Sequence, residues 1–170
     1  ARCTVRYPAP MSLSAAARAE LGRILGPRGV VDSPVGRLAY ESDGLALLRE
    51  APEIVLLPRD TAQCAAALRV LAAEGMPVVG RGAGTGLSGG ATPVAGGALI
   101  GLARMRDILE LNVAERFARV QAGVVNVDLT AMCARHGLFY APDPSSQQAC
   151  TIGGNVGENS GGPHCFKYGA

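Results

Sequence analysis

Val78-Val79-Gly80-Arg81-Gly82-Ala83-Gly84-Thr85-Gly86-Leu87-Ser88-Gly89-Gly90-Ala91 is the stretch on which the fold turns. With Pro77 before it, the valine pair reads as a short strand, Pro77 to Gly80. A glycine-rich loop then runs from Gly80 to Gly97. Glycines lack Cβ, so their amides can turn inward and approach a ligand closely. Successive inward N–H groups form an anion nest suited to phosphate. Gly84, Gly86 and Gly89 match GxGxxG, a weak signal when it stands alone. Pro93 and Gly96-Gly97 stand where a Rossmann helix would begin, and no acidic residue follows a second strand at the expected distance. No GK[ST] occurs, so this is not a Walker A loop. The alternative is a flexible surface loop; Thr85 and Ser88 among the glycines favour a ligand.

Working outward, Glu53 to Leu57 reads as an apolar strand ended by Pro58. Asp60-Thr61 caps a helix with Cys64, Leu68, Leu71 and Ala72 on one face, ending at Gly75. A strand–helix–strand unit of this length implies parallel pairing. Ala98 to Leu102 is a third strand, and Leu109 to Asn112 and Phe117 to Gln121 form two strands joined by a turn. Val125 to Arg135 is a helix with Gly137 just past its end. Residues 141–170, rich in Pro, Ser, Asn and Gly, read as irregular. Near the start, Ser12 or Ser14 caps a helix carrying Leu13, Ala17, Leu21, Ile24 and Leu25, which Gly26-Pro27 stops. A polar connector from Gly29 to about Pro52 holds the turn signals Asp32-Ser33-Pro34 and Glu41-Ser42-Asp43-Gly44. The organisation expected is a flexible extension over 1–11, a helix and connector over 12–52, and a ligand-binding domain over 53–170. The fold class is α+β: a small parallel β-α-β subdomain followed by a partly antiparallel sheet subdomain.

Composition narrows the function. Hydrophobic residues make up 48% of the 170 residues and charged ones 18%, which excludes a disordered chain. Ala and Gly together account for 51 residues, so the core is built from small and aliphatic side chains. The net charge is +2 and the arginines are scattered, which is not the footprint of a nucleic-acid binder or a polybasic anchor. No apolar run reaches the ~18 residues needed to span a bilayer. The five cysteines are odd in number and form no CxxC, so reduced thiols and a cytoplasmic location are expected.

A second signal lies at Pro142-Asp143-Pro144-Ser145-Ser146, followed by Thr151-Ile152-Gly153-Gly154-Asn155-Val156-Gly157-Glu158-Asn159-Ser160-Gly161-Gly162. It offers amides, hydroxyls and side-chain amides with almost no formal charge. Such a lining suits a large polar cofactor rather than a metal; a turn-rich connector is the alternative. Two such loops some 60 residues apart favour one shared ligand.

The two segments together resemble the flavin domain of the vanillyl-alcohol oxidase and p-cresol methylhydroxylase (PCMH-type) superfamily. Within it the likeness is greatest to glycolate oxidase flavoprotein subunits and D-lactate dehydrogenases, and it extends from about Glu41 to the end, through Pro163-His164-Cys165-Phe166-Lys167-Tyr168-Gly169. The resemblance implies FAD as cofactor. The backbone around Arg81, Gly82, Ala83, Gly84, Thr85 and Gly86 would hold its pyrophosphate, with Leu87 and Ser88 completing the turn. Pro144, Ser145 and Ser146 would lie along the flavin or ribityl part. Thr151, Gly153, Gly154, Asn155, Asn159, Ser160 and Gly161 would line the rest. Some relatives tether flavin through a His in the first loop; none lies between Pro77 and Gly97, so non-covalent binding is expected.

The implied chemistry is hydride transfer from a 2-hydroxy acid to flavin N5. The family's substrate residues lie in a C-terminal domain not present in this sequence, so the FAD-binding domain is expected to be truncated at its C-terminus and inactive alone. No catalytic or metal-ligating residue is assigned. His136 reads as a helix-end residue and His164 as a loop residue. An iron–sulfur subunit is the implied electron partner, and early termination would leave edges that favour self-association. Two alternatives stay open: a non-catalytic FAD- or nucleotide-binding fragment, and an oligomerising fragment that binds no flavin.

Overall fold

A computed structural model of the chain describes residues 12–168; the extension expected over 1–11 lies outside the described residues. Helix α1 (Ala15–Leu25) is capped by the Ser14 side chain, which accepts from the Ala17 amide, and ends at Gly26. The Ser14 amide and hydroxyl also donate to Glu74, tying α1 to the end of helix α3 (Thr61–Ala73). Asp60 caps α3 by accepting from the Gln63 amide, and Gln63 returns the favour to the Arg59 amide.

Four strands form one sheet: β1 (Val30–Val31), β2 (Ile54–Leu56), β3 (Val78–Arg81) and β4 (Ala98–Gly101), in the order β1-β2-β4-β3. β2 and β3 are parallel, but β4 lies between them and pairs with both. The direct β2–β3 pairing implied by the sequence is therefore replaced by two pairings through β4. The central strands β2 and β4 are buried throughout, as parallel strands covered on both faces are.

The main core joins Leu13, Ala17, Leu21 and Leu25 to Ile54, Leu56, Ala67, Leu71, Ala98 and Ile100. On α3 the inward face is Cys64, Ala67 and Leu71, whereas Leu68 is 42% exposed and Ala72 is exposed, so the face expected from sequence is rotated by about one position. Arg18 bridges Asp32 and Glu53, fastening α1 to the connector and to the residue before β2. The connector itself folds a short helix, α2 (Pro34–Leu38), capped by Ser33.

The second unit is the antiparallel hairpin β5 (Ile108–Asn112) and β6 (Phe117–Val120), with helix α4 (Asn126–Ala134) packed on it through Leu129 and Cys133, beside Val124 just ahead of the helix. The parallel and antiparallel units together are the α+β arrangement expected. Residues 141–168 are less irregular than expected: they include α5 (Ile152–Glu158), capped by the Thr151 side chain, and α6 (Cys165–Tyr168).

Candidate functional site

The glycine loop leaves the carboxyl end of β3, where open parallel sheets place their ligands. Opposite it stands α5, held there by a run of backbone bonds. The amides of Asn126, Ile152 and Gly153 donate to the carbonyls of Cys150, Val124 and Ala122, and Val125 bridges Thr151. Between loop and helix lies a cleft of about 590 Å³.

Of the residues predicted from sequence, Arg81 through Ser88, Ser145, Ser146, Thr151, Gly153, Gly154, Asn155 and Ser160 line this cleft. Pro144, Asn159 and Gly161 do not line it. Pro144 is buried beneath its turn. Asn159 ends α5 with a left-handed backbone. The Gly161 carbonyl accepts from the Asp143 amide. Gly80, Gly90, Ala91, Leu102, Ala122, Cys150, Gly157 and Glu158 complete the lining. Of these, Gly80, Gly90, Ala91, Gly157 and Glu158 belong to the two stretches quoted from sequence, without a contact assigned to them; for Leu102, Ala122 and Cys150 the lining follows from the long-range apposition of loop and helix, which no local pattern announces.

The state of the backbone amides decides what the cleft can hold. Among the described residues, the amides of residues 82–88, 90 and 91 have no hydrogen-bond partner, whereas that of Gly89 donates to Asp43 Oδ2 at 2.7 Å. Unclaimed N–H groups on a ligand-facing loop are donors in waiting for an anion. The second segment behaves differently. In the first turn of α5 the amides of Ile152, Gly153 and Gly154 are all taken, by Val124, Ala122 and the Thr151 hydroxyl. The first turn of α5 thus contributes a wall rather than a second set of free amides.

The wall fits the loop closely. A Cβ at Gly82 would lie 2.4 Å from Thr151 Oγ1, and one at Gly153 would lie 2.7 Å from Ala122 Cβ. Gly84 has a positive φ of 74°, and the Arg81 guanidinium fills the space its Cβ would take. Asn155, 5% exposed in the cleft wall, donates to the fully buried Asn126 Oδ1 at 2.8 Å, which fixes α5 to α4.

Among the described residues, two charged ones line the cleft, Arg81 and Glu158. The Arg81 guanidinium donates to the Ser42 carbonyl at 2.6 Å and lies 5.8 Å from the Tyr40 ring centroid. Burial lowers its pKa from the ordinary arginine value, with Tyr40 and Asp43 opposing that shift. It is therefore occupied in holding residues 40–43 against the loop. Glu158 stands beside Gly86 and Gly90: a Cβ at either would approach its Oε1 to 3.1 and 2.9 Å. Donors for an anion here are backbone dipoles rather than a free cation. No group of three or more potential metal ligands occurs among the described residues.

The FAD binding domain model matches residues 52–170. This chain belongs to the FAD binding domain family. The glycolate oxidase subunit of Escherichia coli K12 is 54% identical over 132 residues, covering 78% of this chain and 26% of that relative. A D-lactate dehydrogenase of Anaerostipes hadrus is 37% identical over 131 residues, covering 76% of this chain and 27% of the relative. Among solved structures, an alkyldihydroxyacetonephosphate synthase superposes with a TM-score of 0.83 at 21% identity, covering 96% of this chain and 32% of that one. The chain thus spans about a quarter of the length of the curated relatives it matches. FAD is the cofactor of this domain. The unclaimed amides and the glycine-only approaches of the cleft fit a dinucleotide pyrophosphate.

Proposed function

We propose that the loop from Arg81 to Ser88 holds the FAD pyrophosphate through its free backbone amides, as part of a flavin-dependent 2-hydroxy-acid oxidoreductase of the glycolate oxidase or D-lactate dehydrogenase type. The carrying observation is the contrast between the unpartnered amides of residues 82–88 and the fully used amides of α5. Bound FAD supplies the hydride acceptor. This chain's residues bind and orient it: the loop through its N–H groups, Ser145, Ser146 and Ser160 through hydroxyls on the cleft rim, and α5 through a close-packed wall. Leu102 and Ala122 add apolar surface to the cleft lining. No histidine lies between Pro77 and Gly97, which supports non-covalent binding.

In the whole protein, an iron–sulfur subunit would pass the electrons onward. Self-association of the chain is supported by the exposed Phe117, Phe139 and Tyr168. The free cysteines 64, 133, 150 and 165 support a cytoplasmic location. No helix of the described residues is long and apolar enough to cross a membrane.

The test is equilibrium titration with FAD, followed by flavin fluorescence, then acid precipitation. Saturable quenching with all flavin released into the supernatant is expected. Failure to bind FAD, or flavin retained in the pellet, overturns the reading.

A further inference from the structure

Asp43 does not line the cleft, yet it is 8% exposed and its carboxylate accepts three backbone amides. Oδ1 takes those of Leu45 and Ala46, at 3.0 and 3.3 Å, closing a local turn. Oδ2 takes that of Gly89, which is 46 residues away in sequence. Gly89 has a φ of 80°, a backbone conformation that L side chains rarely adopt, at the far end of the ligand loop. The neighbouring Gly44 amide donates to the Gly86 carbonyl at 2.9 Å, and a Cβ on Gly44 would lie 3.0 Å from the Thr85 carbonyl oxygen. Arg81, at the loop's beginning, donates to the Ser42 carbonyl. Residues 42–44, none of which lines the cleft, therefore hold the loop at Arg81, Gly86 and Gly89.

From this geometry we infer that Asp43 is a positioning residue for the cofactor's pyrophosphate. By taking the Gly89 amide it fixes the loop beyond Ser88 and leaves the amides of residues 82–88, 90 and 91 free for the anion. The inference rests on the reading of that loop as the pyrophosphate site. A preorganised loop binds with less ordering cost, so loosening it weakens the ligand that uses its amides.

Asp43→Asn isolates the clasp. Its side chain keeps one carbonyl oxygen but presents an NH₂ group on the other side. It cannot accept from both the turn amides and Gly89. The experiment measures binding of FAD, ADP and riboflavin to the full chain and to D43N, together with urea unfolding and amide exchange at Gly89 in the wild-type chain. The wild-type Gly89 amide exchanges more slowly than those of residues 82–88. D43N binds FAD and ADP about tenfold more weakly, the size of one lost hydrogen bond to a charged group. Riboflavin, which has no pyrophosphate, is bound equally by both proteins. General destabilisation would instead weaken all three ligands in step with the unfolding midpoint. Equal FAD affinity in the two proteins, an equal loss for riboflavin, or an unprotected Gly89 amide in the wild type overturns the positioning role alone. A wild-type chain that binds no FAD overturns the pyrophosphate reading, and the positioning role with it.

Discussion

Gly82→Ala sets two physical effects of opposite sign against each other. Gly82 does not have a positive φ, so alanine meets no backbone strain there. At an unobstructed position the substitution would stabilise the fold by about 0.4–1 kcal/mol through the unfolded chain. The structure predicts the reverse. The new Cβ would stand 2.4 Å from Thr151 Oγ1, about 1 Å inside ordinary contact. Thr151 is 3% exposed and its hydroxyl caps α5 by accepting from the Gly154 amide, so it cannot turn away freely. Overpacking costs about 1–3 kcal/mol, and a lost cap about 1 kcal/mol. Relief by moving α5 would open the cleft and weaken FAD binding. Urea unfolding of wild type, G82A, T151A and the double variant decides it. The account expects G82A to lose about 1–3 kcal/mol, and T151A added to it to cost less than T151A alone. A G82A chain that is as stable as wild type and binds FAD equally would refute the apposition of loop and helix.

Two further outcomes follow from the core and from Asp43. Leu71→Ala removes a fully buried side chain of α3 from the main core and should cost about 2–5 kcal/mol in urea unfolding, against under about 0.5 kcal/mol for an exposed surface change such as Arg69→Ala. The Gly89 amide, then the Leu45 and Ala46 amides and the Arg81 charge, hold the Asp43 carboxyl below the ordinary carboxylate range, against the opposing effect of burial. A depressed pKa means that the stabilisation is present above the unfolded value of about 3.9 and is lost as pH falls through the folded value. Carbon-detected titration of Asp43 should therefore show its midpoint below that value; a midpoint above it contradicts the clasp.

The elements legible in the sequence were those whose information is local. Capping chemistry announced two helices, at Ser12 or Ser14, of which the structure uses Ser14, and at Asp60; Gly26 and Gly75 marked their ends. The hairpin was legible as two short strands joined by a turn, and β5 and β6 pair as such. What was not legible depended on distant partners. The insertion of β4 between β2 and β3 is a choice among parallel neighbours that no single strand records. Three glycines in the seven residues of α5 lower its helix propensity, and the Thr151 cap was its one local sign. Asp43 looked like an ordinary turn residue, because its bond to Gly89 exists only once the connector folds back on the loop. The glycine loop was legible as a candidate ligand loop, and the structure places it along the cleft. That α5 spends its first amides inside the protein was not legible, because those partners come from residues 122–124 and the Thr151 side chain.

On the proposed function, the free amides of the glycine loop receive the FAD pyrophosphate. Amide resonances of the isotopically labelled chain, recorded while FAD is added, test it residue by residue. Large shifts are expected for residues 82–88 and small ones for Ile152, Gly153 and Gly154, whose amides are already bonded within the protein. Binding that shifts the hairpin around Phe117 and leaves residues 82–88 in place would contradict it.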